Sequence, residues 1–212
     1  MRFFAFSALF ALAFVARAET MPFTTVSPYD KSDEKKIIVL MKYDCPYCRG
    51  YHAALDHWAQ SLPPGYQMEF LPVLEYGPDN VATKSTMTPF VIYHGLENAG
   101  ATAAQLMAFS SAAYAIEQDS HTVNDRNAWL LAGAATGLPG STIANGIQSA
   151  ESGFLGETQR LAFYAPKATP TIIVCGKYEF TPDNVSGVPS LFIQLLNATL
   201  SKCMIDQGVA PK

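Results

Sequence analysis

The chain has 212 residues, 49% of them hydrophobic and 15% charged, with 14 Lys and Arg against 18 Asp and Glu for a formal net charge of −4. This acidic balance argues against nucleic-acid binding, which needs a basic footprint. The apolar content is enough for a full core, so the four cysteines are not required to replace one.

The first 18 residues, MRFFAFSALFALAFVARA, carry a positive charge at Arg2, an apolar stretch from Phe3 to Val15 and a small-x-small signal at Ala16-Arg17-Ala18. This is the pattern of a secretory signal peptide, and its apolar stretch is shorter than the ~20 residues that span a bilayer. The mature chain is expected to begin near Glu19, exported into a compartment where disulfides persist. Loss of Arg2 and Arg17 makes its formal charge −6.

Residues 19–35 are polar and proline-punctuated, an extended lead-in. The run KIIVLMKY that follows is apolar and β-branched, which predicts a central strand covered on both faces. Next comes DCPYC, and then Tyr47, Tyr51, Ala54, Leu55, Trp58 and Leu62 recur at helical spacing until Pro63-Pro64-Gly65 stops them. YQMEFLPVLEY, residues 66–76, reads as a second strand that turns irregular at Pro72. From Thr88 alanine-rich segments dominate, with helical spacing in Ala103–Glu117 and Arg126–Ala135, Ser141 as a candidate cap, and a further helix over Gly156–Tyr164. TPTIIVCGKYEF, residues 169–180, returns to strand composition with a turn at Gly176-Lys177, and residues 189–204 close the chain as an amphipathic helix.

Cys45 and Cys48 form a C-x-x-C at the junction of the first strand and first helix. Pro46 suits the first helical position, where its missing N–H costs nothing. The free N–H groups and positive dipole end of that helix favour a Cys45 thiolate and lower its pKa. Cys48, one turn on, is expected to be more buried and to attack a mixed disulfide held on Cys45. A passive structural disulfide is the bland alternative, but so short a loop stabilises little. Cys45, Cys48, His52 and His57 also spell C-x2-C-x3-H-x4-H. His57 lies roughly 140° around the helix from His52 and does not easily complete the same tetrahedron, so both histidines read as solvated helix-face residues. A transient metal site on the two thiolates stays open as an alternative; no resident metal or other cofactor is expected.

The predicted order is strand, helix, strand, helical insert, hairpin, helix. This is the connectivity of a thioredoxin-like α/β fold with an inserted α-helical subdomain. Its boundaries are read as 19–87 and 166–212 for the thioredoxin-like part and 88–165 for the insertion. In such a fold the loop before the third strand carries a proline with a cis preceding bond beside the dithiol, the position of Pro170. The backbone of Thr169 is then free to pair with an extended substrate segment. Cys175 ends the strand after Pro170, and Cys203 ends the last helix, which in this fold packs across the sheet. A structural disulfide between them is expected, stabilising by roughly 3 kcal/mol; two buried free thiols or a separate redox role are the alternatives.

DCPYC after a central strand, the alanine-rich insert and TPTIIVCGKY together resemble the DsbA-like family of exported thiol:disulfide oxidoreductases, over most of the mature chain. The resemblance implies a periplasmic enzyme with Cys45 as nucleophile, Cys48 as resolving cysteine and Thr169-Pro170 as the cis-proline pair. Its implied partners are exported substrate proteins and a membrane redox partner that recycles the dithiol. Three departures stand out. Tyr47 replaces the histidine that strongly oxidising members carry between the cysteines, so Pro46 and Tyr47 should tune a less oxidising site. Val39 stands where the family often has a buried acid. Thr169 is common in exported isomerases, yet the lead-in is too short for their dimerisation domain. Disulfide isomerase or reductase use of the same dithiol, and a thiolate metal-delivery module, are the competing readings.

Overall fold

The computed structural model of the chain describes residues 22–27, 31–79 and 81–209, leaving aside the side chains of residues 155 and 157. The expected signal peptide lies outside the described residues. A five-stranded sheet runs in the order β1-β5-β4-β2-β3: β1 is Thr24–Thr25, β2 Lys36–Met41, β3 Gln67–Pro72, β4 Thr171–Val174 and β5 Tyr178–Phe180. β2 is central, parallel to β3 and antiparallel to β4. Its residues alternate between two apolar layers. Ile37, Val39 and Met41 join Leu55, Trp58, Phe192 and Leu196 on one face, while Ile38 and Leu40 meet Leu71, Phe90 and Leu161 on the other. The continuous apolar run of KIIVLM is the sequence form of this two-sided burial.

Among the described residues six α-helices and one π-helical turn surround the sheet. Helix α1 is Pro46–Ala59, α2 Lys84–Asn98, α3 Ala103–Tyr114, α4 Arg126–Ala134, α5 Gly140–Tyr164 and α6 Pro189–Asp206, and a π-helical turn, Ala115–Ser120, extends α3. The thioredoxin-like sheet with inserted helices is therefore present, and several local expectations change. The helix α2 was hidden by Pro89 and by the β-branched Thr86, Thr88, Val91 and Ile92. Burial of Thr86, Pro89, Phe90, Tyr93 and Leu96 at helical spacing overrides those propensities. Helix α5 runs unbroken from Gly140, so Ser141 lies inside it and is not its cap. The hairpin turns on Cys175 and Gly176, both at positive φ (57° and 66°), and Lys177 N–H closes it on the Val174 carbonyl at 3.1 Å. On α1 the inward stripe is Cys48, Tyr51, His52, Leu55 and Trp58; Tyr47 and Ala54 face outward.

One close crossing packs the insert together, and a charged cluster fastens it to the sheet. Helices α2 and α5 cross where Gly95 meets Gly146. A Cβ on Gly146 would overlap the Gly95 carbonyl oxygen, and one on Gly95 would stand 2.6 Å from Ile147 Cγ1. At the foot of β2, the fully buried Asp33 accepts hydrogen bonds from Arg160 Nη2 (2.8 Å) and the Tyr164 hydroxyl (2.6 Å) of α5, and pairs with Lys36 at 3.1 Å. Arg160 also grips Glu69 of β3. Burial by itself would raise the Asp33 pKa, but the hydrogen bonds of Tyr164, Arg160 and Lys36 and the Arg160 charge hold it below the usual carboxylate value.

Gly146→Ala should destabilise the protein by about 1–3 kcal/mol in urea unfolding, because the crossing has no room to give. An unchanged midpoint would show that the helices separate freely. Asp33→Asn should cost about 3 kcal/mol at neutral pH. A carboxyl with a lowered folded pKa contributes fully above its unfolded value of about 3.9 and loses that contribution as pH falls through the folded value. The variant should therefore show a shallower loss of stability below about pH 4 than the parent; an identical acid limb would place the acid sensitivity elsewhere.

Candidate active site

The strand-to-helix junction builds the site from local rules. β2 ends at Met41, three residues turn the chain, and Cys45 takes the N-cap position of α1 with extended backbone (φ −83°, ψ 112°), followed by Pro46 in the first turn. A capping side chain accepts from the free N–H groups of the first turn. Here the acceptor is sulfur: Cys48 N–H donates to Cys45 Sγ at 3.1 Å. The Cys45 thiol in turn donates to the Thr169 carbonyl at 3.2 Å, and the Thr169–Pro170 bond is cis. Both cysteines are free thiols, Cys45 at 9% exposure and Cys48 at 3%.

The two sulfurs are driven apart in acidity. A hydrogen bond from the Cys48 side chain is the largest influence on Cys45; with the Thr169 side chain and the backbone N–H groups of Cys48 and Tyr47 it outweighs burial and lowers the pKa to about 6. Burial, and then the neighbouring Cys45, push the Cys48 thiol far above its ordinary value. One sulfur is thus prepared as an anion and the other held as a thiol. Tyr47, between them in sequence, is 65% exposed and turned to solvent.

The π-helical turn of the insert holds this junction through three consecutive side chains. Gln118 Nε2 donates to the carbonyl oxygens of Tyr43 (2.7 Å) and Cys45 (3.1 Å). Asp119 forms a two-pronged pair with Arg49 of α1, at 2.7 and 2.8 Å. Glu117 shares a small pocket with Lys42, Asp44, Thr86 and Pro89, and burial together with Asp44 and Glu75 raises its pKa to about 7. From α3, the Ser110 hydroxyl lies 3.2 Å from that of Tyr43. None of these was visible in the sequence. The polar run EQDS breaking an alanine-rich helix was the available signal, and π-helical turns often mark functional sites.

His52 departs from its expected place. It is buried, its ring 4.2 Å from that of Phe70 and its Nδ1 3.4 Å from the Tyr114 hydroxyl, because it follows Cys48 by one turn on the inward stripe. Burial lowers its pKa to about 4, so it is neutral at physiological pH. His57 is exposed. Among the described residues no group of three or more His, Cys, Asp and Glu side chains converges for a metal ion.

Cys175 and Cys203 form a disulfide with Cα atoms 6.5 Å apart. It joins the turn after β4 to the last turns of α6, at the opposite end of β4 from Thr169-Pro170. Among the described residues no helix is long and apolar enough to cross a membrane.

No protein-family model matches the sequence, and no curated protein matches it. Solved structures do. DsbA from Pseudomonas aeruginosa superposes with a TM-score of 0.72 over 89% of this chain and 95% of that one, at 16% identity. DsbA from Proteus mirabilis, holding a non-covalently bound peptide PWATCDS, gives 0.68 over 89% and 98% at 13% identity. DsbA from Xylella fastidiosa gives 0.63 over 85% and 94% at 15% identity. At such identities the likeness is one of fold: the chain has the DsbA form of the thioredoxin-like fold, helical insertion included.

Gln118→Ala should lower stability by about 1–2 kcal/mol in urea unfolding, by removing the donor to the Tyr43 carbonyl and one of two donors to the Cys45 carbonyl. Gln118→Glu should cost at least as much, since a carboxylate cannot donate to either. Parental stability in both would show that the clamp does not form.

Proposed function

We propose that the protein is an exported thiol:disulfide oxidoreductase that introduces or exchanges disulfides in substrate proteins. The observation that carries this reading is the placement of Cys45 sulfur at the α1 N-terminus, where it accepts from the Cys48 N–H across the first turn. A thiolate stabilised there is a good leaving group, which favours the reduced dithiol and hence donation of its disulfide. A substrate thiolate attacks Cys45 of the Cys45–Cys48 disulfide and Cys48 leaves. The second substrate thiolate then attacks its own sulfur in the mixed disulfide, releasing oxidised substrate and a reduced dithiol. A membrane redox partner would return that dithiol to the disulfide.

Thr169 and Pro170 line the approach to the sulfur and are proposed to bind an extended substrate segment by main-chain hydrogen bonds, a mode that tolerates many sequences. The peptide held by the Proteus mirabilis structure supports such binding. The N-terminal signal sequence supports a periplasmic location. Proposed boundaries remain 19–87 and 166–212 for the thioredoxin-like part and 88–165 for the insertion. Pro46 starts the helix that stabilises the anion, and Tyr47 leaves the sulfur without the extra donor a histidine would supply, so a milder oxidant is expected. That same feature favours isomerase or reductase use as the second reading.

Equilibration with glutathione buffers decides the direction. The dithiol should equilibrate well above thioredoxin's potential of about −270 mV. Cys48→Ser should accumulate substrates as mixed disulfides on Cys45, and Cys45→Ser should accumulate none. A potential as low as thioredoxin's moves the function to a reductase. Stoichiometric metal uptake by reduced protein, lost in Cys45→Ser and without dithiol turnover, replaces it with a metal-delivery module.

A further inference from the structure

Disulfide exchange at this site has to move a proton to and from a buried sulfur. When Cys48 resolves a mixed disulfide its thiol must become a thiolate, and in the reverse step a thiolate is returned to the same buried position. Beneath the site Val39 is paired with Phe70 across β2 and β3, and the acid of β3, Glu69, is held by Arg160 and Lys36. Arg49 and Asp119 are exposed and engaged with each other. Of the two other titratable groups on the inward stripe of α1, Tyr51 donates to the Gly187 carbonyl, and His52 lies one turn beyond Cys48 at 5% exposure.

His52 has two surroundings. Its Nδ1 lies 3.4 Å from the Tyr114 hydroxyl, a group that can donate to a neutral ring and accept from a protonated one. The same side chain lines a cavity of about 280 Å³ between α1, β3, α2 and α3. That volume holds several waters, and its wall is polar enough to order them. The imidazole thus lies one turn along the inward stripe of α1 from a buried thiol and borders a water-sized space.

On the reading of Cys45 and Cys48 as the exchanging dithiol, we propose that His52 is the proton-transfer residue for Cys48, moving its proton to and from water in this cavity. In resolution, the Cys48 S–H bond breaks toward the imidazole as Cys48 sulfur attacks Cys45 sulfur. The Cys45–substrate S–S bond breaks, the substrate leaves as a thiolate, the Cys45–Cys48 disulfide forms, and the imidazolium gives the proton to cavity water. In disulfide donation the steps reverse: His52 takes a proton from cavity water and passes it to the Cys48 sulfur as that sulfur departs, which returns the ring to its neutral form. The titratable groups facing the ring are Cys48 and Asp56 on α1, Glu69 on β3, Tyr93 and Glu97 on α2, and Tyr114 on α3. Glu69 is committed to Arg160 and Lys36 and Glu97 is paired with His94, which leaves Asp56, one turn further along α1, as the acid that stabilises a transient imidazolium. Burial keeps His52 neutral at rest, so the ring is free to accept only when Cys48 reacts.

A chromophoric aryl disulfide separates the steps. Reduced protein releases one aryl thiolate when Cys45 attacks and a second when Cys48 resolves the mixed disulfide. His52→Ala should leave the first phase at the parental rate and slow the second by about a hundredfold, and added imidazole, admitted by the enlarged cavity, should restore it in proportion to free base. His52→Phe, which keeps the ring volume, should be slow and refractory to imidazole. A parental second phase in either variant, or a slow His52→Ala phase that imidazole does not accelerate, overturns the proposal. Absence of both phases in the unsubstituted protein instead overturns the dithiol reading on which it rests.

Discussion

One hydrogen bond organises the functional end of this molecule: the Cys48 N–H donating to Cys45 sulfur across the first turn of α1. It makes sulfur the cap of a helix, a position that rewards negative charge through unsatisfied N–H groups and the helix dipole. Everything around it fixes that turn. The central strand β2, buried on both faces, delivers the chain to the junction, and Pro46 starts the helix without losing a hydrogen bond. Tyr51 ties α1 to Gly187 and packs on Phe192, while Thr169 closes the other side of the sulfur. The Cys175–Cys203 disulfide secures the far end of β4 and so the strand that carries Pro170.

The helical insertion is coupled to the same junction rather than merely appended to the sheet. Its π-helical turn presents Glu117, Gln118 and Asp119 in succession to Lys42–Arg49, and the Gln118 clamp supplies a donor to the Tyr43 carbonyl and a second one to the Cys45 carbonyl, which also accepts from the Arg49 N–H. At the other end of the insert, Arg160 and Tyr164 anchor α5 on Asp33 and Glu69. The Gly95–Gly146 crossing sets the spacing between these two anchors. Buried charge at the foot of the sheet and backbone clamping at its top thus hold the insert against the sheet at both ends of the same strand.

The elements legible in the sequence are those where one local rule dominates. A β-branched run of strand length, a C-P-x-C at a helix start and a proline before a third strand each carry their own physical reason. What escaped were features decided by tertiary packing. Helix α2 has poor local propensity and forms because its apolar positions are buried on the sheet. His52 looked solvated because helix spacing alone does not say which face turns inward; its one-turn offset from Cys48 was the signal. Gln118 and Asp119 act across more than 70 residues of chain or nearly so, and only the folded insert brings them to the junction. The hairpin shifted by one residue because Cys175, not only glycine, takes a positive φ there.

Titration of the Cys45 thiolate in reduced protein, followed by its ultraviolet absorbance and referenced to Cys45→Ser, tests the account most directly. Sulfur that caps α1 should ionise with a midpoint near 6, so that thiolate is lost as pH falls through that value, and the signal should be absent from the variant. A midpoint near the unperturbed value of about 8.5 would contradict the central claim, because it would mean that the helix terminus does not stabilise the anion.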